Sequence, residues 1–145
     1  MDRQQLKLEL LQSLQKMYDM ELVAPLLEFC QGEMRVLLYL DAHPAGAREI
    51  YPSDLSDALY VTRQRITTIL ASLRKKGYII TETSKSDRRK TRVRLSKAGS
   101  HYVQEKRALA DSYFDLLIQT LGEKDAAELN RLVKRAAEEL EGLAE

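Results

Sequence analysis

The chain has 145 residues, of which 44% are hydrophobic and 31% charged, and its formal net charge is +1. This length and composition predict one globular domain, residues 1–145, and argue against a disordered chain. No run reaches the eighteen or so apolar residues of a membrane span, and the acidic, Leu-rich start does not resemble a signal peptide. A single cysteine excludes an internal disulfide, so we expect a protein of the reducing cytoplasm.

Charge is distributed unevenly along the chain. Residues 62–97 contain twelve Lys and Arg against two acids, an excess of +10, while the rest has eleven basic and twenty acidic residues, or −9. A basic block inside an acidic chain is the pattern expected of a surface that binds a polyanion.

The first third of the chain is predicted to be helical. Residues 3–30 form a helix that breaks near Ala24 and Pro25, and residues 32–42 form the next helix. The first helix has an apolar stripe that needs more than one neighbour to cover it. Residues 43–47 are predicted to form a turn, and residues 48–50 a short third strand beside a later hairpin.

A helix-turn-helix unit is predicted next. Pro52 suits the first position of a helix and Asp54 its first turn, and residues 58–61 lead directly to Thr62, a plausible N-cap. The second helix has an apolar stripe at i, i+3, i+4 and i+7, which must face a core. This stripe consists of Ile66, Ile69, Leu70 and Leu73.

The opposite face of this second helix has small polar side chains, and long donors flank its first turn. Such a helix suits insertion into the major groove of DNA, although a solvated face is the plainer reading for an isolated helix. The residues proposed to contact DNA are Thr62, Arg63, Gln64, Arg65, Thr67, Thr68 and Ser72.

A hairpin follows. Gly77 ends the helix after two lysines, residues 78–83 and 91–95 alternate as strands, and Arg92 and Arg94 are predicted to point outward. Residues 84–90, which we call the wing tip, form the charged loop between the strands. A solvated loop is the simple alternative, but its cations suit a minor groove or phosphates. These cations are Lys85, Arg88, Arg89 and Lys90.

Two helices end the chain. Ser96 is a natural N-cap for a helix that runs to about Thr120, Gly122 breaks it, and residues 123–143 form the last helix. The apolar surface of the two helical ends exceeds what one small core can cover. We therefore expect a homodimer, with packing of the two ends inside one chain as the alternative.

These residues together resemble the winged-helix core of the MarR family of bacterial transcriptional regulators. The resemblance lies in Leu73-Arg-Lys-Lys-Gly77-Tyr-Ile, in Asp87-Arg-Arg89, and in Val93-Arg-Leu95-Ser96-Lys-Ala-Gly99. It implies that Arg89 reaches the minor groove and that Asp87 supports the wing, with Arg88 as the rival groove contact. The fold expected is mainly α with a small β-wing. A winged helix-turn-helix core at residues 32–97 lies between dimerisation arms at residues 1–31 and 98–145.

The expected function is sequence-specific binding of double-stranded DNA by a homodimeric regulator, expected to be a repressor. Two symmetric reading helices would address half-sites roughly 10 bp apart in a pseudo-palindromic operator. By side-chain geometry Gln64 suits adenine and Arg63 or Arg65 suits guanine, while Thr67, Thr68 and Ser72 suit phosphate or a thymine methyl group. A winged helix used only for protein interaction is the alternative.

Other residues suggest fewer functions. Relatives in the resembled family bind small phenolic or lipophilic effectors, and Tyr18, Tyr39, Tyr102 and Tyr113 are candidates for such a pocket, although core packing explains them more simply. Cys30 is expected to be a buried structural thiol, with redox sensing as the alternative. We found no nucleophile motif, phosphate-binding loop, cofactor motif or metal-ligand spacing, and therefore expect no catalysis, no cofactor and no metal.

Overall fold

The computed structural model describes residues 1–44 and 48–144. Within these ranges the mainly helical architecture with one β-hairpin is confirmed, whereas the predicted turn at residues 43–47 falls mostly outside them. The elements in chain order are α1 (Arg3–Asp19), α2 (Ala24–Phe29), α3 (Glu33–Ala42), α4 (Pro52–Leu59), α5 (Arg63–Lys75), β1 (Ile79–Thr83), β2 (Thr91–Leu95), α6 (Lys97–Leu121) and α7 (Glu123–Leu143).

The helix-turn-helix unit comprises α4 and α5. Pro52 occupies the first turn of α4, where its missing N–H costs nothing, and the Asp54 carboxylate accepts the Tyr51 N–H at 2.8 Å. α4 ends with Tyr60 in the left-handed conformation, at φ 55°. The Thr62 hydroxyl oxygen accepts the Arg65 N–H at 3.1 Å, so the predicted N-cap is confirmed.

Gly77 ends α5 as predicted. Its φ is +79°, its N–H donates to the Arg74 carbonyl at 3.0 Å, and the Tyr78 N–H donates to the Leu73 carbonyl at 3.0 Å. This pair of bonds is a Schellman cap, which a residue with a free left-handed conformation makes possible. It turns the chain directly from the end of α5 into β1.

The sheet has two antiparallel strands in the described residues, with Ile79 opposite Leu95 and Thr83 opposite Thr91. The predicted third strand at residues 48–50 does not form. One hydrogen bond remains of it, from the Val93 N–H to the Ile50 carbonyl at 2.8 Å. It keeps the segment before α4 against the outer edge of β2.

The core lies where α3, α4, α5, the sheet and the first turns of α6 meet. Its most deeply buried side chains are Val36, Leu37, Leu55, Ile66, Leu73 and Val103. Gly99 lies so close to the backbone of Tyr78 that an added Cβ would stand 1.9 Å from the Tyr78 carbonyl oxygen. Only glycine fits this crossing of β1 and α6.

The described residues form two compact units, the first ending at Ala108 and the second beginning at Leu109. The division falls inside α6, because Val103 belongs to the core of the first unit. The dimerisation arms at residues 1–31 and 98–145 stay a prediction. No described helix is both long and apolar enough to cross a membrane.

Candidate nucleic-acid interface

α5 separates a buried stripe from an exposed polar face. Ile66, Leu70 and Leu73 are buried, whereas Gln64 and Lys75 are exposed on the other side. The exposed face also includes Thr67, Thr68 and Ala71. Because Thr67, Thr68 and Ala71 are small, a bulky partner can approach the helix backbone closely at these positions.

Both threonine hydroxyls on that face are already used as donors. The Thr67 hydroxyl donates to the Arg63 carbonyl at 2.9 Å, and the Thr68 hydroxyl donates to the Gln64 carbonyl at 3.1 Å. Phosphate oxygens accept hydrogen bonds and cannot donate them. In this arrangement the two residues therefore suit contact with a thymine methyl group better than contact with phosphate.

Ser72 lies at the border of the face and interacts with α3. It is half-buried near Glu33, which pairs with Lys76 at 2.6 Å. Burial would raise the pKa of Glu33, but the hydrogen bonds from Lys76 and Ser72 lower it below its ordinary value. The predicted DNA contact of Ser72 thus competes with a contact inside the fold.

Arg63 and Arg65 lie in the first turn of α5, and both are exposed. The free N–H groups and the dipole of this helix end also favour a phosphate. In the described residues neither guanidinium pairs with a carboxylate. The first turn of α5 is therefore a site of uncompensated positive charge.

The wing tip holds its arginine by local hydrogen bonds. The Asp87 carboxylate accepts the Arg89 N–H at 3.0 Å and its side-chain Nε and Nη2 at 3.1 and 3.2 Å. Bonds from the Arg89 side chain and backbone lower the pKa of Asp87. Since the Arg89 side chain is 90% exposed, Asp87 orders it without covering it. This geometry is compatible with both predicted roles and tests neither.

The other wing-tip cations are also exposed. Lys85 and Arg88 project without a carboxylate partner in the described residues, and the Lys90 ammonium lies 4.8 Å from the centre of the Tyr51 ring. A cation placed over an aromatic face is held weakly and keeps its charge. Three cations of the wing tip therefore remain uncompensated.

Arg94 is 40% exposed, as expected for an outward-pointing residue, whereas Arg92 is more covered than predicted. The Arg92 side chain is 19% exposed, and its guanidinium pairs with Glu82 at 3.0 Å and with Glu49 at 3.6 Å. Arg94 pairs with the other carboxylate oxygen of Glu82 at 2.5 Å. Hydrogen bonds from Arg94 and Arg92 lower the pKa of Glu82. These two arginines tie the strands together, because Glu82 lies directly opposite Arg92 in the sheet.

A cluster around Glu49 was missed by the sequence analysis. Its carboxylate accepts hydrogen bonds from the hydroxyl groups of Tyr51, Ser84 and Ser86, and from the Lys85 N–H. Hydrogen bonds from Ser84, Tyr51 and the Lys85 backbone lower the pKa of Glu49 to about 2. Tyr51 is two residues from Glu49, whereas the three wing-tip partners are 35 to 37 residues away. No local spacing could have revealed the wing-tip partners, and the available signal was an acid in the middle of the predicted third strand, residues 48–50.

Cys30 corrects a second expectation. It is exposed at the end of α2, not buried, because the short helix ends on the surface there. Its thiol is accessible to solvent. The two histidines bond the Tyr39 carbonyl and Glu105, and the described residues include no group of three metal-ligating side chains.

The four tyrosines proposed for an effector pocket have separate environments. Tyr39 stacks on His43, Tyr102 stacks on Tyr78, Tyr18 is 66% exposed, and Tyr113 is half-buried. A cavity of about 730 Å³ lies beside β2, and none of the four lines it. A tyrosine effector pocket stays a prediction.

One protein family and several solved structures are similar to this chain. Residues 31–90 match the model of the MarR family. No curated protein matches the chain in sequence. Among solved structures, YusO from Bacillus subtilis is similar with a TM-score of 0.72 and 19% identity, and the match covers 95% of this chain and 99% of YusO.

Two similar structures contain DNA. FabT from Streptococcus pneumoniae in complex with DNA has a TM-score of 0.68 and 23% identity, over 98% of this chain and 99% of FabT. CouR, a transcriptional repressor bound to a 23-mer DNA duplex, has a TM-score of 0.66 and 21% identity, over 89% of each chain. At these identities the likeness establishes the fold, and the predicted winged-helix class is confirmed.

Proposed function

We propose, because residues 31–90 match the model of the MarR family, that this chain is a sequence-specific transcriptional regulator that binds double-stranded DNA as a homodimer. The proposal rests on the presence of two basic surfaces, the exposed face of α5 and the wing tip. The exposed face of α5 begins with Arg63 and Arg65, and the wing tip carries Lys85, Arg88 and Lys90 without carboxylate partners among the described residues.

Some of the basic residues already form ion pairs with carboxylates of the same chain. Of the twelve cations in residues 62–97, four pair with carboxylates of the described residues, namely Lys76, Arg89, Arg92 and Arg94. Arg89 nevertheless remains exposed beside its partner. The cations without a partner are concentrated at both ends of α5 and at the wing tip, where phosphate contacts of a groove-binding helix fall.

Homodimerisation is supported by exposed apolar surface in each unit. α1 buries none of its residues, and four of its leucines, at positions 8, 10, 11 and 14, are each more than half exposed. α7 likewise buries none, and its exposed apolar residues include Leu132, Val133 and Leu140. Apolar faces of this kind need a partner surface, and a second copy is the simplest one.

Two copies related by a dyad would place two α5 helices in successive major grooves, roughly 10 bp apart. The operator would then be an imperfect palindrome. Phosphate contacts would supply most of the affinity, and Gln64 with Arg63 or Arg65 the selectivity. We further propose that the regulator is cytoplasmic, acts as a repressor and is released by a small lipophilic or phenolic effector.

A salt titration tests DNA binding itself. Genomic fragments retained by the purified protein provide the DNA, and fluorescence anisotropy measures the affinity at increasing salt. The logarithm of the binding constant should fall by about 0.9 per phosphate contact for each tenfold rise in salt. A flat response, or no binding at low salt, would support the alternative of a protein-interaction module.

Two substitutions separate the proposed roles of helix and wing. Gln64→Ala should change the base preferred at one position of each half-site, by about 1–3 kcal/mol. Arg89→Ala should weaken binding to all sequences by similar factors, with Arg88→Ala as the matched comparison for the rival groove contact. Equal loss on every sequence for Gln64→Ala, or unchanged affinity for Arg89→Ala, would contradict the respective role.

A further inference from the structure

Glu49 lies outside both proposed DNA-contacting surfaces, yet it binds three consecutive residues of the wing tip. One carboxylate oxygen accepts the Lys85 N–H at 2.9 Å. The other accepts the Tyr51 hydroxyl at 2.7 Å and the Ser86 hydroxyl at 3.0 Å, together with the Ser84 hydroxyl. One side chain therefore fixes the base of a loop that otherwise projects into solvent.

The same segment is fixed to the helix-turn-helix unit. Ile50 is buried in the core, and its carbonyl accepts the Val93 N–H. The Tyr51 N–H donates to Asp54 in the first turn of α4. Residues 49–51 thus connect the start of α4 to β2 and to the wing tip, and they leave little freedom to any of the three.

We propose that Glu49, with Tyr51, is a positioning residue that sets the direction of the wing tip relative to α5, so that the cations of both reach the same DNA. The inference rests on the proposed DNA-binding function. Glu49 itself would touch no DNA. Tyr51 contributes twice, because its hydroxyl meets Glu49 and its ring lies under the Lys90 ammonium.

If only charge mattered, Glu49 would weaken DNA binding, whereas the proposal predicts that Glu49 strengthens it. The direction in which DNA affinity changes when Glu49 is neutralised therefore tests the proposal. A carboxylate beside a DNA-binding loop repels phosphate, so its neutralisation should strengthen binding if charge alone matters. A positioning role predicts weaker binding instead. The pKa of Glu49, about 2, means that the carboxylate is charged at every pH used for such a measurement.

The test compares Glu49→Gln with Glu128→Gln on a genomic fragment that the wild-type protein retains. Glu128 pairs with Arg131 in α7, so its replacement makes the same change of charge in the other unit of the chain. We expect Glu49→Gln to weaken binding about tenfold, the factor for loss of one hydrogen-bonded charged group. Glu128→Gln should bind as the wild type does, or slightly more tightly.

A double-mutant cycle and hydrogen exchange complete the test. Glu49→Gln should cost much less affinity when Arg88→Ala and Lys90→Ala have already weakened the wing, because the coupling runs through those cations. The amides of residues 85–87 should exchange faster in Glu49→Gln with no DNA present.

The outcomes distinguish the two proposals. If the wild type binds DNA and Glu49→Gln binds equally or more tightly, the positioning role is wrong. A purely additive cycle, or unchanged exchange at residues 85–87, would also overturn it. If the wild type binds no DNA, the proposed function fails, and the exchange measurement still decides whether Glu49 orders the wing tip.

Discussion

α5 and α7 have similar amphipathic sequences, but the fold uses their apolar faces differently. α5 buries Ile66, Leu70 and Leu73, whereas α7 buries no residue and leaves Leu132 and Leu140 47% and 65% exposed. The apolar stripe of α5 is therefore satisfied within its own unit, and that of α7 is not. Apolar periodicity shows that a helix face needs cover, but it does not show which molecule provides the cover.

The largest effect should come from making the α7 face polar. Leu132→Asp would place a charge where a second copy is proposed to pack, so the homodimer should dissociate. Operator affinity should then fall by roughly 10²–10⁴-fold, because the half-sites lose their linkage. Sedimentation velocity and anisotropy measure both changes.

The control for that substitution is Asn130→Asp, which adds the same charge to the same helix at a polar residue. It should leave the dimer intact. A monomeric wild type, or a dimer that survives Leu132→Asp, would show that the exposed face of α7 needs no second copy.

A stability comparison is next in size. Leu73→Ala removes a fully buried side chain of α5 and should lower the free energy of unfolding by about 2–5 kcal/mol. Leu14→Ala in α1, where the side chain is 64% exposed, should have a small effect at low protein concentration. Urea denaturation measures both.

Protein concentration sharpens this second prediction. If a second copy covers α1, the cost of Leu14→Ala should grow as the dimer becomes populated, because binding stabilises the folded state by mass action. If Leu14→Ala lowered the free energy of unfolding as much as Leu73→Ala does at every protein concentration, the proposed difference between α1 and α5 would be wrong.

A smaller effect is expected at the turn between α4 and α5. Tyr60 is 91% exposed and has a positive φ, which is unfavourable for a bulky side chain and tolerated by asparagine. Tyr60→Asn should therefore raise the free energy of unfolding by about 1 kcal/mol. Thermal denaturation measures it, and the same substitution at Tyr18 in α1 is the control. A destabilised Tyr60→Asn protein would mean that the tyrosine ring makes a contact worth more than the strain.

The smallest effect is expected in the pH dependence of stability. Folding lowers the pKa of Glu49 from its ordinary value of 4.5 to about 2. The charged carboxylate therefore makes its full contribution to folding stability at pH values above 4.5. That contribution is lost as the pH falls from about 4.5 towards 2. The stability difference between the wild type and Glu49→Gln should therefore be larger at pH 7 than at pH 3. Urea denaturation at both pH values measures it, and an equal difference would show that the Glu49 charge contributes nothing.

Much of the fold was predictable because its signals are local. The Thr62 cap, the helix end at Gly77 and the N-cap at Ser96 each depend on residues within a few positions, and all three formed as predicted. The exposed face of α5 followed from the period of its apolar stripe. These features need no knowledge of what packs where.

The features that were missed depend on distant partners. Alternation in β2 placed Arg92 on a face but could not show that Glu49 and Glu82 lie there too. The exposure of Cys30 depends on how α2 ends, and tyrosine at position 60 has no tendency towards a left-handed turn. The cluster around Glu49 therefore depends on the folded structure, because the fold brings residues 49 and 84–86 together.

The hairpin has consequences for protein engineering. Its base is joined to the rest of the fold by backbone contacts at Tyr78, including the Ser96 N–H that donates to the Tyr78 carbonyl at 3.0 Å and the close approach of Gly99. Its far end is joined through side chains: Glu49 accepts bonds from the hydroxyl groups of Ser84 and Ser86 and from the Lys85 N–H, and the Tyr51 ring lies under the Lys90 ammonium. A loop grafted between the strands from another protein would keep the sheet in place. It would hold a defined orientation only if hydroxyl-bearing residues were retained at positions 84 and 86.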